Sequence, residues 1–381
     1  MPDRYIQNNL PQQSPGRAPL ELMKSSLEHI LHKHPPQAKH DRSAQGGLLK
    51  GFTSIAYLFF QLAALHPDVT VRGHHLLTWA QRYLNGDRGH LTLDGKCGIS
   101  SEKLSYEALK ACIGRKESDV QIFLENVTAV LGLDHFESEL LQGRAGTLYL
   151  MRMIRHWVPE STFLLQGPIA RISEKIIASK KSGDGHGWEW RGSEYFGAAH
   201  GDIGIITQLI LTTPSLAPRL ESHLDTLLNV QVDGNWPSSR RSLKRGDAGE
   251  LVQWCHGAPG FVFSLRVLHA FFPNLQERID TCIAKGQELI WKRGLLTKEP
   301  SLCHGILGNA LALPRGPLRE HFLGLATVEA IEKAKRLDRE VFEPANYGQD
   351  KAVIFSYHTS AAWTWGVCEQ ETPPMIVYTD V

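Results

Sequence analysis

One short unit recurs along this chain at intervals of roughly 50 residues, a period that signals stacked or circular repeat architecture. It consists of two glycines three residues apart, followed by an apolar stretch of helical length. Four copies are clear: Gly143-Arg144-Ala145-Gly146 leads into Thr147 to Ile154, and Gly201-Asp202-Ile203-Gly204 into Ile205 to Leu211. Gly257-Ala258-Pro259-Gly260 leads into Phe261 to Phe272, and Gly305-Ile306-Leu307-Gly308 into Asn309 to Leu313. Weaker copies start at Gly51 and at Cys97-Gly98, and a decayed one lies near Ser356 to Trp365, which makes seven units. A single unit cannot bury its own apolar face, so the units must pack on one another.

Between the glycine turns the apolar residues follow the helical period, as in Leu22, Leu27, Ile30 and Leu31, or Ile279, Ile283, Leu289 and Ile290. Few segments alternate like strands. Each unit therefore reads as two helices, an outer one with a polar face and an inner one entered through the glycine turn. Glycine there is expected to permit positive φ and close backbone approach. Inner-helix N-termini gathered at one end would present free N–H groups and positive dipole ends, favouring anions and thiolates.

Of the 381 residues, 42% are hydrophobic and 21% charged, enough to bury a large core. Forty-one Lys and Arg against 40 Asp and Glu leave a formal charge of +1, so no global field attracts nucleic acid or an anionic membrane. The N-terminus is polar and lacks a signal-like apolar segment. The longest apolar-rich stretch, Ile55 to Leu65, is too short to span a bilayer. A cytoplasmic protein without a transmembrane segment is expected, with peripheral contact at the plasma membrane the one membrane association this reading allows.

Six cysteines lie scattered without the spacing of a disulfide framework. Two of them begin the tripeptides Cys255-His256-Gly257 and Cys303-His304-Gly305, so ligand-capable side chains precede the glycine in three consecutive units: His200, then Cys255-His256, then Cys303-His304. Two thiolates and a neutral imidazole cancel the charge of Zn²⁺ and leave a fourth position for a substrate sulfur. No Cys-x-x-Cys pair is present, which argues against a closed structural finger. The chemistry alone does not decide between His256 and His304 as the third ligand. Glycoside hydrolysis, another activity of helical-hairpin barrels, needs two facing carboxylates, and the glycine turns offer Asp202 without a partner.

The motifs Glu194-Tyr195-Phe196-Gly197-Ala198-Ala199-His200-Gly201, Val252-Gln253-Trp254-Cys255-His256-Gly257-Ala258-Pro259-Gly260, Gly294-Leu295-Leu296 and Leu302-Cys303-His304-Gly305 resemble those of the lanthionine synthetase C-like (LanC-like) proteins, eukaryotic type. The resemblance implies an all-α fold, an (α/α) barrel of helical hairpins with seven inner and seven outer helices and its Gly-rich turns at the active-site end. It implies one domain over residues 1–381, with residues 1–20 as an extended N-terminal segment. Carried over by motif, Cys255, Cys303 and His304 match the zinc ligands and His200 the active-site histidine. His256 takes the position beside the first cysteine, Lys298 matches a glutathione-contacting lysine, and Arg4 lies where relatives carry an N-terminal arginine.

The activity so implied is zinc-dependent addition of the glutathione thiol to dehydroalanine or dehydrobutyrine residues of proteins or peptides. Zinc would hold the thiol as thiolate, which attacks the alkene β-carbon, and a histidine would protonate the resulting enolate. His200 is expected as that acid with His256 assisting. The basic run Arg240, Arg241, Lys244 and Arg245 could recruit a phosphorylated or acidic substrate. Two departures from the family pattern favour an alternative, a non-catalytic glutathione- and zinc-binding adaptor: Ile99 stands where an aspartate is usual, and the seventh unit lacks its glycines.

Overall fold

The structure, a computed structural model, describes residues 4–42, 45–181, 183, 186–246, 249–343 and 353–381. Among these residues it is helical apart from two short antiparallel hairpins, β1–β2 (Thr70–Val71 with His74–His75) and β3–β4 (Glu189–Trp190 with Ser193–Glu194). Seven helices form an inner ring: α2 (Phe52–Leu65), α4 (Glu102–Gly114), α6 (Arg144–Trp157), α8 (Asp202–Thr212), α11 (Ala258–Leu268), α13 (Ile306–Ala312) and α16 (Tyr357–Val367). Each packs on the next, and α16 closes back onto α2.

The outer layer consists of α1 (Pro19–Lys33), α3 (Leu76–Leu84), α5 (Glu117–Gly132), α7 (Thr162–Ala178), α9 (Ala217–Asn229), α12 (Gln276–Arg293) and α14 (Pro317–Leu325). Six outer helices pack against the inner helix that precedes them in the chain, whereas α1 packs on α16 and joins the two ends of the sequence. Two further helices, α10 (Arg240–Lys244) and α15 (Val328–Leu337), stand outside the two rings. The expected all-α barrel of seven inner and seven outer helices is thus present, and the seventh unit forms despite its missing glycines, with Ser356 extended ahead of α16.

Of the two roles expected for these glycines, the structure shows close backbone approach far more than positive φ. In all four clear units the first glycine is the residue before the helix and the second lies inside its first turn. Of these eight only Gly257 has positive φ, at 108°. The second glycine answers to close approach instead: a Cβ on Gly146, Gly204, Gly260 or Gly308 would meet the carbonyl oxygen of Leu140, Ala198, Trp254 or Leu302, respectively, at 2.0–2.1 Å. Each of those carbonyls lies six residues earlier, so the loop ahead of each of these four inner helices folds back against the first turn of its own helix.

These loops are stitched together around the ring. Leu48 N–H donates to Ile99 O (2.8 Å), Cys255 N–H to Cys303 O (3.4 Å) and Ile354 N–H to Leu49 O (2.9 Å). Leu302 N–H donates to Ser360 Oγ (3.0 Å), and a Cβ on Gly98 or Gly197 would strike Leu140 O or Cys255 O. The barrel axis is filled by the segment after α16. Met375, Ile376, Val377 and Tyr378 are wholly buried, and the Tyr378 hydroxyl bonds Ser264 of α11 (2.5 Å) and Thr207 of α8 (3.2 Å).

Residues 4–18 precede α1 and lie along α12 and α14: Asn8 Nδ2 donates to Trp291 O (2.8 Å) and His321 Nε2 bonds Asn8 Oδ1 (2.9 Å). Among the described residues no helix is long and apolar enough to cross a membrane.

Candidate functional site

The loops ahead of α8, α11 and α13 bring the sequence-predicted residues together at one end of the inner ring. Cys303 Sγ–H donates to Cys255, and His304 also hydrogen-bonds the Cys255 sulfur. Gln253 Nε2 adds a third donor to the same atom at 3.1 Å. Cys303 and His304 are buried, at 9% and 8% exposure. The hydrogen bond between the two sulfurs draws the Cys255 thiol well below its usual range, and the same bond, with burial, pushes Cys303 well above it.

Two sulfurs and an imidazole around one point are a donor set suited in chemistry to a soft divalent ion. They meet here as a hydrogen-bonded cluster: among the described residues no three His, Cys, Asp or Glu side chains are arranged as a ready metal cage.

His256 is the neighbour of this cluster on the His200 side, with the two imidazole centroids 6.4 Å apart. Burial lowers the His256 pKa, with the Cys255 charge opposing. Its Nδ1 is buried and unpartnered, an unsatisfied polar atom beside the thiols that a bound ligand could engage. Lys298 is exposed, and its charge reaches both Cys303 and His256. Arg4 comes close to Lys298 through the backbone, because Thr297 N–H donates to Arg4 O (3.1 Å) and Tyr5 bridges to Leu296. The Arg4 guanidinium is held by Glu250 at 3.1 Å in an exposed pair.

Glu139 is the residue that sequence reasoning missed. Its carboxylate is fully buried and takes the Nδ1 proton of His200 at 2.9 Å. A carboxylate only accepts, so Nδ1 must carry the proton and Nε2 is left as the nitrogen that can exchange one. Glu139 also accepts from the backbone N–H groups of Leu141 (2.7 Å) and Gln142. A signal was available: Glu139 stands four residues before Gly143, ahead of a glycine pair as His200, Cys255 and Cys303 are. On its face the His200 ring carries Trp190, at 3.6 Å between centroids and 5° between planes.

Two other residues singled out in the sequence, Asp202 and Arg240, are engaged in structural contacts, while Arg241, Lys244 and Arg245 of the basic run remain exposed. Asp202 is fully buried within α8, bonding His223 (3.0 Å) and Trp188 N–H (3.0 Å), a carboxylate engaged in structural contacts. In the basic run, Arg240 pairs with Glu194 at 2.9 Å and serves to anchor β4.

The chain thus forms a barrel of seven helical hairpins, five of them with a glycine ahead of the inner helix, with two Cys-His pairs and a buried carboxylate–histidine pair at the helix-start end. The profile of the lanthionine synthetase C-like protein family matches residues 43–315, and the chain belongs to that family. It is 30% identical over 280 residues to glutathione S-transferase LANCL1 of Danio rerio, covering 68% of this chain and 67% of that protein. It is also 29% identical over 184 residues to LanC-like protein GCL1 of Arabidopsis thaliana, covering 46% of this chain and 41% of that one.

Proposed function

We propose that this protein is a zinc-dependent thiol-addition enzyme that joins glutathione to dehydroalanine or dehydrobutyrine residues of proteins or peptides. The observation that carries the reading is the meeting of Cys255, Cys303 and His304 beside His256 and the Glu139-held His200. The zebrafish relative's name, glutathione S-transferase, supports glutathione as the thiol.

Cys255, Cys303 and His304 would hold the ion. When bound, zinc supplies a Lewis-acidic centre that keeps a thiol ionised at neutral pH, where a free thiol near pKa ~8.5 is mostly protonated. The protein's own residues do the rest. Glu139 fixes His200 with Nε2 unengaged, and His200 delivers a proton to the α-carbon as the sulfur–carbon bond forms. His256 lies between that acid and the thiols and offers an unpartnered buried nitrogen to the peptide. Lys298 and Arg4 supply positive charge for the tripeptide's carboxylates, Arg4 after exchanging its Glu250 partner.

Incubation with glutathione and a dehydroalanine-containing peptide, followed by mass spectrometry, tests the reading. The adduct should form with wild-type protein and fall to the metal-free background after chelation. Absence of adduct above that background leaves the alternative, a glutathione- and zinc-binding adaptor, favoured by Ile99 and the glycine-free seventh unit. Against the adaptor, the buried Glu139 supplies the acidic partner of His200 even though Ile99 replaces the usual aspartate.

A further inference from the structure

We infer that Trp190, carried on the β3–β4 hairpin, is a positioning residue for His200, holding the plane of its imidazole while Glu139 holds its Nδ1. The inference rests on the reading of His200 as the proton donor. The hairpin is built for such a task. Its loop, Arg191-Gly192, has positive φ at both positions (49° and 74°), the two-residue turn that matches strand twist, and it fixes Trp190 opposite Ser193.

The hairpin is braced on both sides. Glu194 receives Arg240 Nε (2.9 Å), His186 Nδ1 (2.9 Å) and Gly187 N–H (3.3 Å). At the tip, Arg191 N–H donates to Glu137 Oε1 at 3.1 Å, and the Arg191 guanidinium lies 4.8 Å from the Trp190 ring. Glu137 is two residues from Glu139, so one short segment fixes both the hairpin tip and the histidine. The indole is half-buried and lies parallel to the imidazole at van der Waals separation.

A single hydrogen bond at Nδ1 leaves an imidazole free to swing about that contact, whereas a ring stacked on its face removes the swing. Small misplacement of a reacting group is expensive in rate, which is why the stack should appear in kcat and not in glutathione binding. The ring contacts of Trp190 among the described residues are with Tyr195, His200 and Arg191, so zinc content should be indifferent to its replacement.

The test compares Trp190→Ala and Trp190→Phe with wild type, in holoprotein of equal zinc content and unchanged circular dichroism. Trp190→Ala should lower kcat for adduct formation about tenfold with KM for glutathione within about twofold, and Trp190→Phe should recover most of it. Independently of activity, ¹⁵N-histidine NMR should show a slowly exchanging His200 Nδ1–H in wild type and Trp190→Phe, broadened or lost in Trp190→Ala. An unchanged His200 signal in Trp190→Ala overturns the positioning role, as does unchanged kcat. A wild-type protein that makes no adduct overturns the enzymatic reading instead, and the NMR comparison then decides the positioning claim on its own.

Discussion

Glu139 and His200 stand 61 residues apart in sequence, yet a buried carboxylate oxygen of one lies 2.9 Å from Nδ1 of the other. Every acceptor site used on Glu139 faces an N–H donor: Leu141 and His200 on Oε2, Gln142 on Oε1. An amide at this position must therefore point its NH2 group at a donor whichever way it is flipped. Glu139→Gln is expected to cut kcat for adduct formation about a hundredfold, the size of a lost general-acid contribution. It should also lower the melting temperature, because a buried donor loses its acceptor. Full activity in a folded Glu139→Gln variant would remove the carboxylate from the mechanism.

The cluster around Cys255 makes a different prediction, one about metal. Purified wild type should carry about one zinc per chain, the stoichiometry of a three-ligand catalytic site. Cys255→Ala, Cys303→Ala and His304→Ala should each lose most of it, while His256→Ala should keep it. The measurement is elemental analysis of protein dialysed against metal-free buffer. Equal zinc in all five proteins would break the ligand assignment.

The extent to which these features could be read from sequence follows from how local each one is. Gly-x-x-Gly spacing and the helical period are local, so seven hairpins could be counted from the chain, even where Ser356 replaces a glycine. The Cys-His pairs were visible for the same reason. What the sequence hid was the fold-back of each loop onto its own helix, because a normal-φ glycine and a positive-φ glycine are written with the same letter. Glu139 was hidden because its partner comes from the next unit, and Trp190 because a two-residue strand leaves almost no alternation to detect. Ligand chemistry alone leaves His256 and His304 open and the family resemblance names His304; in the structure His304 contacts Cys255, and His256 faces His200.

The recurring contact six residues back can be tested by adding one methyl group. Gly308→Ala would put a Cβ 2.0 Å from Leu302 O, a backbone atom that the Leu302–Ser360 bond holds in place. Overpacking of this kind costs about 2–3 kcal/mol, a fall of roughly 3 °C in melting temperature for a chain of this size. Gly132→Ala, at the end of α5 with nothing within 4 Å, is the control and should be neutral or slightly stabilising. Equal melting temperatures for the two variants would mean that the Gly308 loop yields without cost, contrary to the packing described.

The axial segment predicts a pH dependence of stability. Asp380, partly buried, accepts from Tyr57 (2.6 Å) on α2, Tyr149 (2.8 Å) on α6 and Tyr378 N–H (3.1 Å). Burial raises its carboxyl above the usual carboxylate range, only partly offset by those hydrogen bonds. The folded protein therefore holds this proton more tightly than the unfolded chain does. Stability from the site is fully present below the unfolded value of about 3.9 and is lost as pH rises through the raised folded value. Asn at 380 cannot titrate, so the stability of Asp380→Asn relative to wild type should climb across that window and level off above it. Urea unfolding of both proteins at a series of pH values from about 4 to 8 reads this difference directly. Parallel curves would show that Asp380 carries the same proton affinity folded and unfolded, and that the tyrosine pair, not burial, governs the carboxyl at the centre of the barrel.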